Sequence, residues 1–185
     1  GASCLVTLFA DAVTDSNIFS NENLCLCSCT GVYQGVEISA TNPGMGGPSM
    51  GIVRPEAVIS GARIFVRVGS CGSLIEKSKV GDCIIPTAAI RVDGTADTWA
   101  PPEFPAFADY RVTKYLVQAA KCIAPGNYYT GVEATTSDFY TGQGRPNPLT
   151  GEVPERMAAR HKERMRLGVA CYSLEAADLF EWCVP

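Results

Sequence analysis

The sequence predicts an α/β domain, a sheet flanked by helices, and two observations carry that reading. Two glycine-rich turns, Thr41-Asn42-Pro43-Gly44-Met45-Gly46-Gly47-Pro48-Ser49 and Arg67-Val68-Gly69-Ser70-Cys71-Gly72-Ser73, each close an apolar run and lie about one βα unit apart. Strand-like and helix-like patterns then alternate with no repeat and no Gly/Ser linker, so residues 1–185 read as one domain. With 46% hydrophobic and 18% charged residues the chain can bury a substantial core. Its net charge of −4 argues against a broad basic surface for nucleic acid or anionic membrane, so any anion site is local. No apolar run approaches the roughly 20 residues of a membrane span, and the first residues lack a basic start and cleavage pattern. The expectation is a cytoplasmic protein with no nucleic-acid or membrane partner.

Cys25, Cys27 and Cys29 recur at every second position, which puts them on one face of a strand as small packing residues. Residues 36–40 read as a buried strand feeding the first glycine turn. A helix over 49–61 follows, capped by Ser49, stopped by Gly61 and disturbed by Pro55. Residues 64–68 form a second buried strand, and short strands follow over 82–85 and 88–92. Over 109–122, Val112, Leu116, Ala119 and Ile123 share one side of a helix that Asp109 caps. A strand over 128–135 leads into the loop Ser137-Asp138-Phe139-Tyr140-Thr141-Gly142-Gln143-Gly144-Arg145, whose aromatic and hydrogen-bonding groups suit a heterocyclic base. A basic helix over 153–167, a short strand over 168–172 and an apolar helix over 174–183 complete the chain.

The chemistry concentrates at the turns. Glycines directly after strands let a ligand approach bare N–H groups, and Arg67 with Ser70 adds charge and a hydroxyl, a combination suited to phosphate. An arginine inside an apolar strand also needs an anionic partner. The nine cysteines lack the two-residue spacing of zinc ribbons or redox pairs, and their odd number disfavours a complete disulfide framework. The single histidine, His161, lies in Arg160-His161-Lys162 and reads as part of a solvated helix face. No G-x-S-x-G turn accompanies it, which disfavours a serine hydrolase. On its own, Glu175 reads as a carboxylate at a helix N-terminus, and Arg145 as a loop charge.

Taken together, the turn at 44–49, the turn at 67–72, the Arg91-Val92-Asp93-Gly94 step, the Pro102-Glu103-Phe104-Pro105-Ala106 step and the loop at 139–145 resemble the nucleoside phosphorylase family, specifically its uridine phosphorylase branch. The resemblance runs in order over about residues 35–183. It implies a single-domain nucleoside phosphorylase-like fold with a central mixed, twisted sheet flanked by helices. It further implies reversible phosphorolysis of uridine to uracil and ribose 1-phosphate, with inorganic phosphate as co-substrate and no cofactor. Arg67, Ser70 and Gly46 match the phosphate-binding positions. Phe139, Gln143, Arg145, Cys71 and Gly72 match the base site, Gln143 and Arg145 being the pair that reads the pyrimidine and stabilises its departure. Leu174 and Glu175 match the ribose site, Leu174 standing for the usual methionine. The resemblance also implies a homodimer or homohexamer. Ser49 matches one position near an interface metal found in relatives, but the other positions do not match and no metal is expected.

Departures from the family pattern define the alternatives. The first 34 residues are divergent and contain no Gly-Asp-Pro-Asp-Arg turn, residues 21–29 supply no arginine for a neighbouring subunit, and Ser173 replaces a second sugar-binding glutamate. The sequence also stops before the family's last strand and helix, so it is expected to be part of a longer polypeptide or a divergent, non-catalytic nucleoside-binding relative. A purine nucleoside phosphorylase or nucleosidase of the same fold is the other alternative, which the Gln143-Gly144-Arg145 triplet opposes.

Overall fold

A computed structural model describes residues 3–21 and 26–182; Cys25, Cys183 and the final Val184-Pro185 lie outside the described residues. The N-terminal part, in which no element is predicted before residue 25, is a helix on a small sheet. Helix α1 (Ser3–Ala12) packs mainly on β2 of an antiparallel sheet ordered β1 (Thr14–Asn21), β2 (Leu26–Tyr33), β3 (Val36–Thr41). Val6 and Cys29 are buried between them. The β2–β3 hairpin turns at Gln34 and Gly35, both at positive φ (50° and 80°), the twist that a two-residue hairpin loop requires.

The larger sheet is mixed, with five strands in the order β4-β8-β7-β5-β6. These are β4 (Gly72–Ser73), β5 (Cys83–Arg91), β6 (Ala106–Phe107), β7 (Tyr128–Thr135) and β8 (Cys171–Ser173). β5, β7 and β8 run parallel, and the short edges β4 and β6 run antiparallel to their neighbours. Helix α3 (Tyr110–Ile123) joins β6 to β7, and α4 (Glu155–Arg166) joins β7 to β8. The parallel strands therefore end together at Arg91, Thr135 and Ser173, the edge where such sheets place their ligands. Asp109 caps α3 as the sequence predicts, its Oδ1 accepting from the N–H groups of Arg111 (2.8 Å) and Val112 (2.9 Å).

Four expectations change. Residues 36–40 lie in strand β3, but the strand is not buried: Val36 is 60% exposed. Residues 64–68 are not a buried strand: Ile64 is 75% and Val68 71% exposed, and no described segment pairs with them. Exposure alternates along it, with Phe65 and Arg67 half-buried, but an apolar run alone cannot supply a neighbouring strand. The strands expected over 82–85 and 88–92 are one strand, β5, with an irregularity between Pro86 and Ala88, where proline cannot donate to the ladder. Helix α2 spans Gly46–Ile59, starting in the glycine turn and not at Ser49, with Met45 at the cap and no side-chain bond there. Its first amides are thus left for another acceptor. Pro55 lies inside α2, and Gly61 (φ 108°) follows its end as expected.

Helix α5 (Ala176–Trp182) packs over the sheet through a cluster of small residues: Ala89, Ala96, Ala106, Ala176 and Ala177, with Phe180 alongside. Such methyls each contribute only about 0.8 kcal/mol on burial. Their small size brings backbone and polar groups close. Arg91, at the end of β5, fastens the segment that follows. Its guanidinium donates to the carbonyls of Pro101 (2.6 Å), Phe104 (2.8 Å) and Ala100 (2.6 Å) and to Asp97 (2.8 Å).

Candidate active site

Glu175, between β8 and α5, is the centre of the site. Its Oε1 accepts from the Gly46 N–H at the start of α2 (2.9 Å), and its Oε2 is bonded to the Arg67 guanidinium. The anionic partner that Arg67 needs is therefore supplied from within the chain. One carboxylate occupies both a helix N-terminal amide and a guanidinium, the two groups the sequence reads as an anion site. Ser70 is exposed in the same turn as Arg67.

Beside it lies a second carboxylate that the sequence reading missed. Glu133 on β7 is 2% exposed, and its Oε1 accepts from the hydroxyls of Thr135 (2.9 Å) and Ser173. Ser173 Oγ in turn accepts from the Glu175 N–H (3.3 Å), and Thr135 Oγ1 accepts from the Ala177 N–H (2.9 Å). This relay sets the backbone at Glu175 from two neighbouring strands. Burial pushes the Glu133 carboxyl above its usual range, against the pull of the Ser173 and Thr135 hydroxyls and of Arg67. A glutamate at an ordinary alternating position of a strand carries no sequence signal for such a role.

The loop after β7 is built on Asp138. Its carboxylate accepts from the Thr141 hydroxyl (2.5 Å) and from the N–H groups of Tyr140 (3.0 Å) and Gly142 (2.8 Å), which hold it below the usual carboxylate range. These bonds shape a short 3₁₀ turn over Thr141–Gln143 that ends at Gly144 in the left-handed region (φ 74°). Gln143 is buried and donates to Thr136 Oγ1 (3.3 Å). The Arg145 guanidinium lies over the Phe139 ring at 4.0 Å from its centre. It reaches the Arg67–Ser73 turn because residue 72 is glycine: a Cβ there would lie 2.7 Å from Arg145 Nη2. A cavity of about 360 Å³ opens here, lined by Gly72, Gln143, Arg145, His161, Met165 and Tyr172 among others.

His161 corrects an expectation. It is not on a solvated face: its Nδ1 is 3.0 Å from the Tyr172 hydroxyl, its ring stacks on that tyrosine, and it packs against Gly144. Arg164 supports the same loop by donating to the Gly142 carbonyl (3.0 Å). The basic run of α4 shows its charge in the sequence but not its inward turn.

A further buried group underlies α2. A Cβ at residue 47 would lie 2.5 Å from Asp178 Oδ2, 2.6 Å from Thr95 Oγ1 and 2.7 Å from Asp93 Oδ2, so glycine is required there. Burial, and then the charge of Asp93, push the Asp178 carboxyl up to about 7. Arg54, 2% exposed, donates to the Asp178 carbonyl and lies over the Trp182 ring at 4.8 Å. Among the described residues no group of three or more His, Cys, Asp or Glu is placed to hold a metal ion, and no helix is long and apolar enough to cross a membrane.

The structure thus brings Arg67, Gly46 and Glu175 into direct contact, and Phe139, Arg145 and Gly72 into a second cluster with Gln143 beside it. Cys71 and Ser70 lie in the turn between these clusters, and Leu174 is half-buried next to Glu175.

Comparison with known proteins gives the family. The sequence signature of the phosphorylase superfamily matches residues 14–183. The uridine phosphorylase of Thermococcus kodakarensis is 40% identical over 151 residues, 82% of this chain and 54% of that protein. The uridine phosphorylase of Escherichia coli is 37% identical over 149 residues, 80% of this chain and 58% of that protein. A guanosine phosphorylase from Halorubrum lacusprofundi is 35% identical over 89 residues, 48% of this chain and 37% of that protein. The chain spans little more than half the length of the uridine phosphorylases it matches.

Proposed function

The chain belongs to the phosphorylase superfamily, and from that premise we propose that it catalyses phosphorolysis of uridine: inorganic phosphate attacks the anomeric carbon, the N-glycosidic bond breaks, and uracil and ribose 1-phosphate result. The observation that carries this reading is the Glu175 carboxylate held between the Gly46 amide and Arg67. The donors it holds suit an anion such as phosphate, and the carboxylate itself is able to accept from sugar hydroxyls.

In this reading phosphate takes the Gly46 amide and Arg67 from Glu175, with Ser70 donating a further hydrogen bond. Glu175, released, accepts from the ribose hydroxyls next to Leu174. The Glu133–Ser173 bond brings a second carboxylate to the place where Ser173 departs from the family pattern. The base lies against Phe139, Cys71 and Gly72 and meets both donor and acceptor of the Gln143 amide. As the bond breaks, the electron pair moves onto the base and Arg145 stabilises the anion, which then takes a proton from water. No covalent enzyme intermediate is required. Gln143 with Arg145 favours a pyrimidine dione over a purine, because a guanidinium only donates and the dione offers two carbonyl oxygens.

Uracil release from uridine by the purified chain, with and without inorganic phosphate, tests this. Phosphate-dependent release is expected. Folded protein that binds uridine without releasing uracil would overturn the reading in favour of a non-catalytic nucleoside-binding protein.

A further inference from the structure

Cys71 and Cys171 face each other at the edge of the candidate site. The antiparallel register of β4 and β8 pairs Gly72 with Tyr172 and Ser73 with Cys171, so Cys71 falls on the face of the sheet that Cys171 shares. The two thiols lie close enough for each to perturb the ionisation of the other. Cys71 is exposed and Cys171 is buried beneath it. Cys71 also belongs to a turn without regular backbone pairing, which can yield as the sulfurs approach.

We propose that Cys71 and Cys171 form a reversible disulfide with a peroxide as oxidant, a modification site in the turn that carries Ser70 and Gly72. The Cys71 thiolate attacks a peroxide oxygen, giving a sulfenic acid and hydroxide. The Cys171 sulfur then attacks the sulfenic sulfur, and the S–S bond forms as water leaves. In sum two thiols and one hydrogen peroxide give one disulfide and two waters.

The surroundings favour each step in order. The hydrogen bond from Cys171, aided by the Arg67 charge and opposed by burial and Glu133, lowers Cys71 to about 7, so about half of it is thiolate at neutral pH. Cys171 is pushed far up, first by its bond to Cys71 and then by burial. Oxidation of Cys71 removes that thiolate, and with it the chief cause that keeps Cys171 protonated. The disulfide draws the turn toward β8 and shifts Cys71 and Gly72 relative to Arg145. The loss of phosphorolysis that follows from this shift rests on the proposed phosphorylase reading; the disulfide itself does not.

Protein treated with hydrogen peroxide is alkylated, cut with trypsin and then chymotrypsin so that Cys171 and Cys183 separate, and mapped by mass spectrometry. The expected product is residues 68–77 linked to the Cys171 peptide, released by dithiothreitol. Cys71 should lose its free thiol about threefold faster at pH 7 than exposed Cys83 and Cys122, the gain in thiolate outweighing its lower nucleophilicity. In Cys171→Ala the link should vanish and Cys71 should be trapped as a sulfenic acid by dimedone. Unlinked Cys71 in the oxidised wild-type protein, or its link to any other cysteine, would overturn the proposal whatever the variant does and whether or not the protein turns over uridine.

Discussion

Replacing Glu175 by glutamine separates the two roles proposed for the site, because phosphate and nucleoside should respond in opposite directions. Glutamine keeps an oxygen for the Gly46 N–H, so the turn stays in place, but removes the charge opposite Arg67. Two unit charges about 4 Å apart attract by about 4 kcal/mol at an effective dielectric of 20. The Arg67 side chain is 25% exposed and that of Glu175 9%, so solvent and the loss of alternative partners reduce the net value. We take about 1.4 kcal/mol as the part returned to a competing anion, which corresponds to phosphate binding about tenfold more tightly. The sugar, in contrast, loses charge-assisted hydrogen bonds of about 1.5–3 kcal/mol each, so kcat/KM for uridine should fall at least ~100-fold. Calorimetric titration with inorganic phosphate and steady-state uracil release read the two effects separately. Phosphate affinity that falls or stays unchanged in Glu175→Gln would refute the idea that Glu175 and phosphate compete for Arg67.

Arg145→Ala should lower kcat/KM for uridine by at least ~100-fold through loss of leaving-group stabilisation, while phosphate affinity measured by calorimetry stays within about twofold. Gly144→Ala should destabilise the loop by about 1–2 kcal/mol from its left-handed backbone, with further cost because the new methyl meets His161. Denaturant titration should show His161→Ala recovering part of that loss in the double variant, and strict additivity would refute the contact. Asp178→Asn should act only at high pH. The folded carboxyl, raised to about 7, lies above its unfolded value near ~3.9, so its contribution is fullest below ~4 and is lost as pH rises through about 7. Thermal melting at pH 8.5 should shift upward by at least ~3 °C in Asp178→Asn, with little change at pH 4; equal shifts at both would refute a raised Asp178 carboxyl.

Much of the fold was legible because local chemistry and tertiary packing agree. Asp109 caps α3 at the predicted residue, and the strand predicted over 128–135 is β7. The failures share one cause, that a pattern states which face is apolar but not what covers it. Residues 64–68 alternate as a strand does, yet no described strand pairs with them. The Arg160-His161-Lys162 run looks solvated, yet His161 turns under Gly144. Within the site, Arg67 stands out as a charge opening a glycine turn and Glu175 as a carboxylate at a helix N-terminus, whereas their direct bond appears only in three dimensions. Glu133 and Asp178 carry no motif at all, since a buried carboxylate has the same letter as an exposed one.

The Arg91 clasp has a consequence for how the structure opens. Three carbonyls and one carboxylate over residues 97–104 converge on one guanidinium, so a single side chain fastens most of this stretch. When that side chain lets go, four bonds are lost at once. Amide protons along the stretch should therefore exchange with solvent as one cooperative unit, at a common free energy below that of global unfolding. A lysine at residue 91 keeps the charge but cannot span both branches of the clasp. The chain thus concentrates the order of a long loop in a single residue at the end of β5, and the loop's opening is all-or-none in consequence.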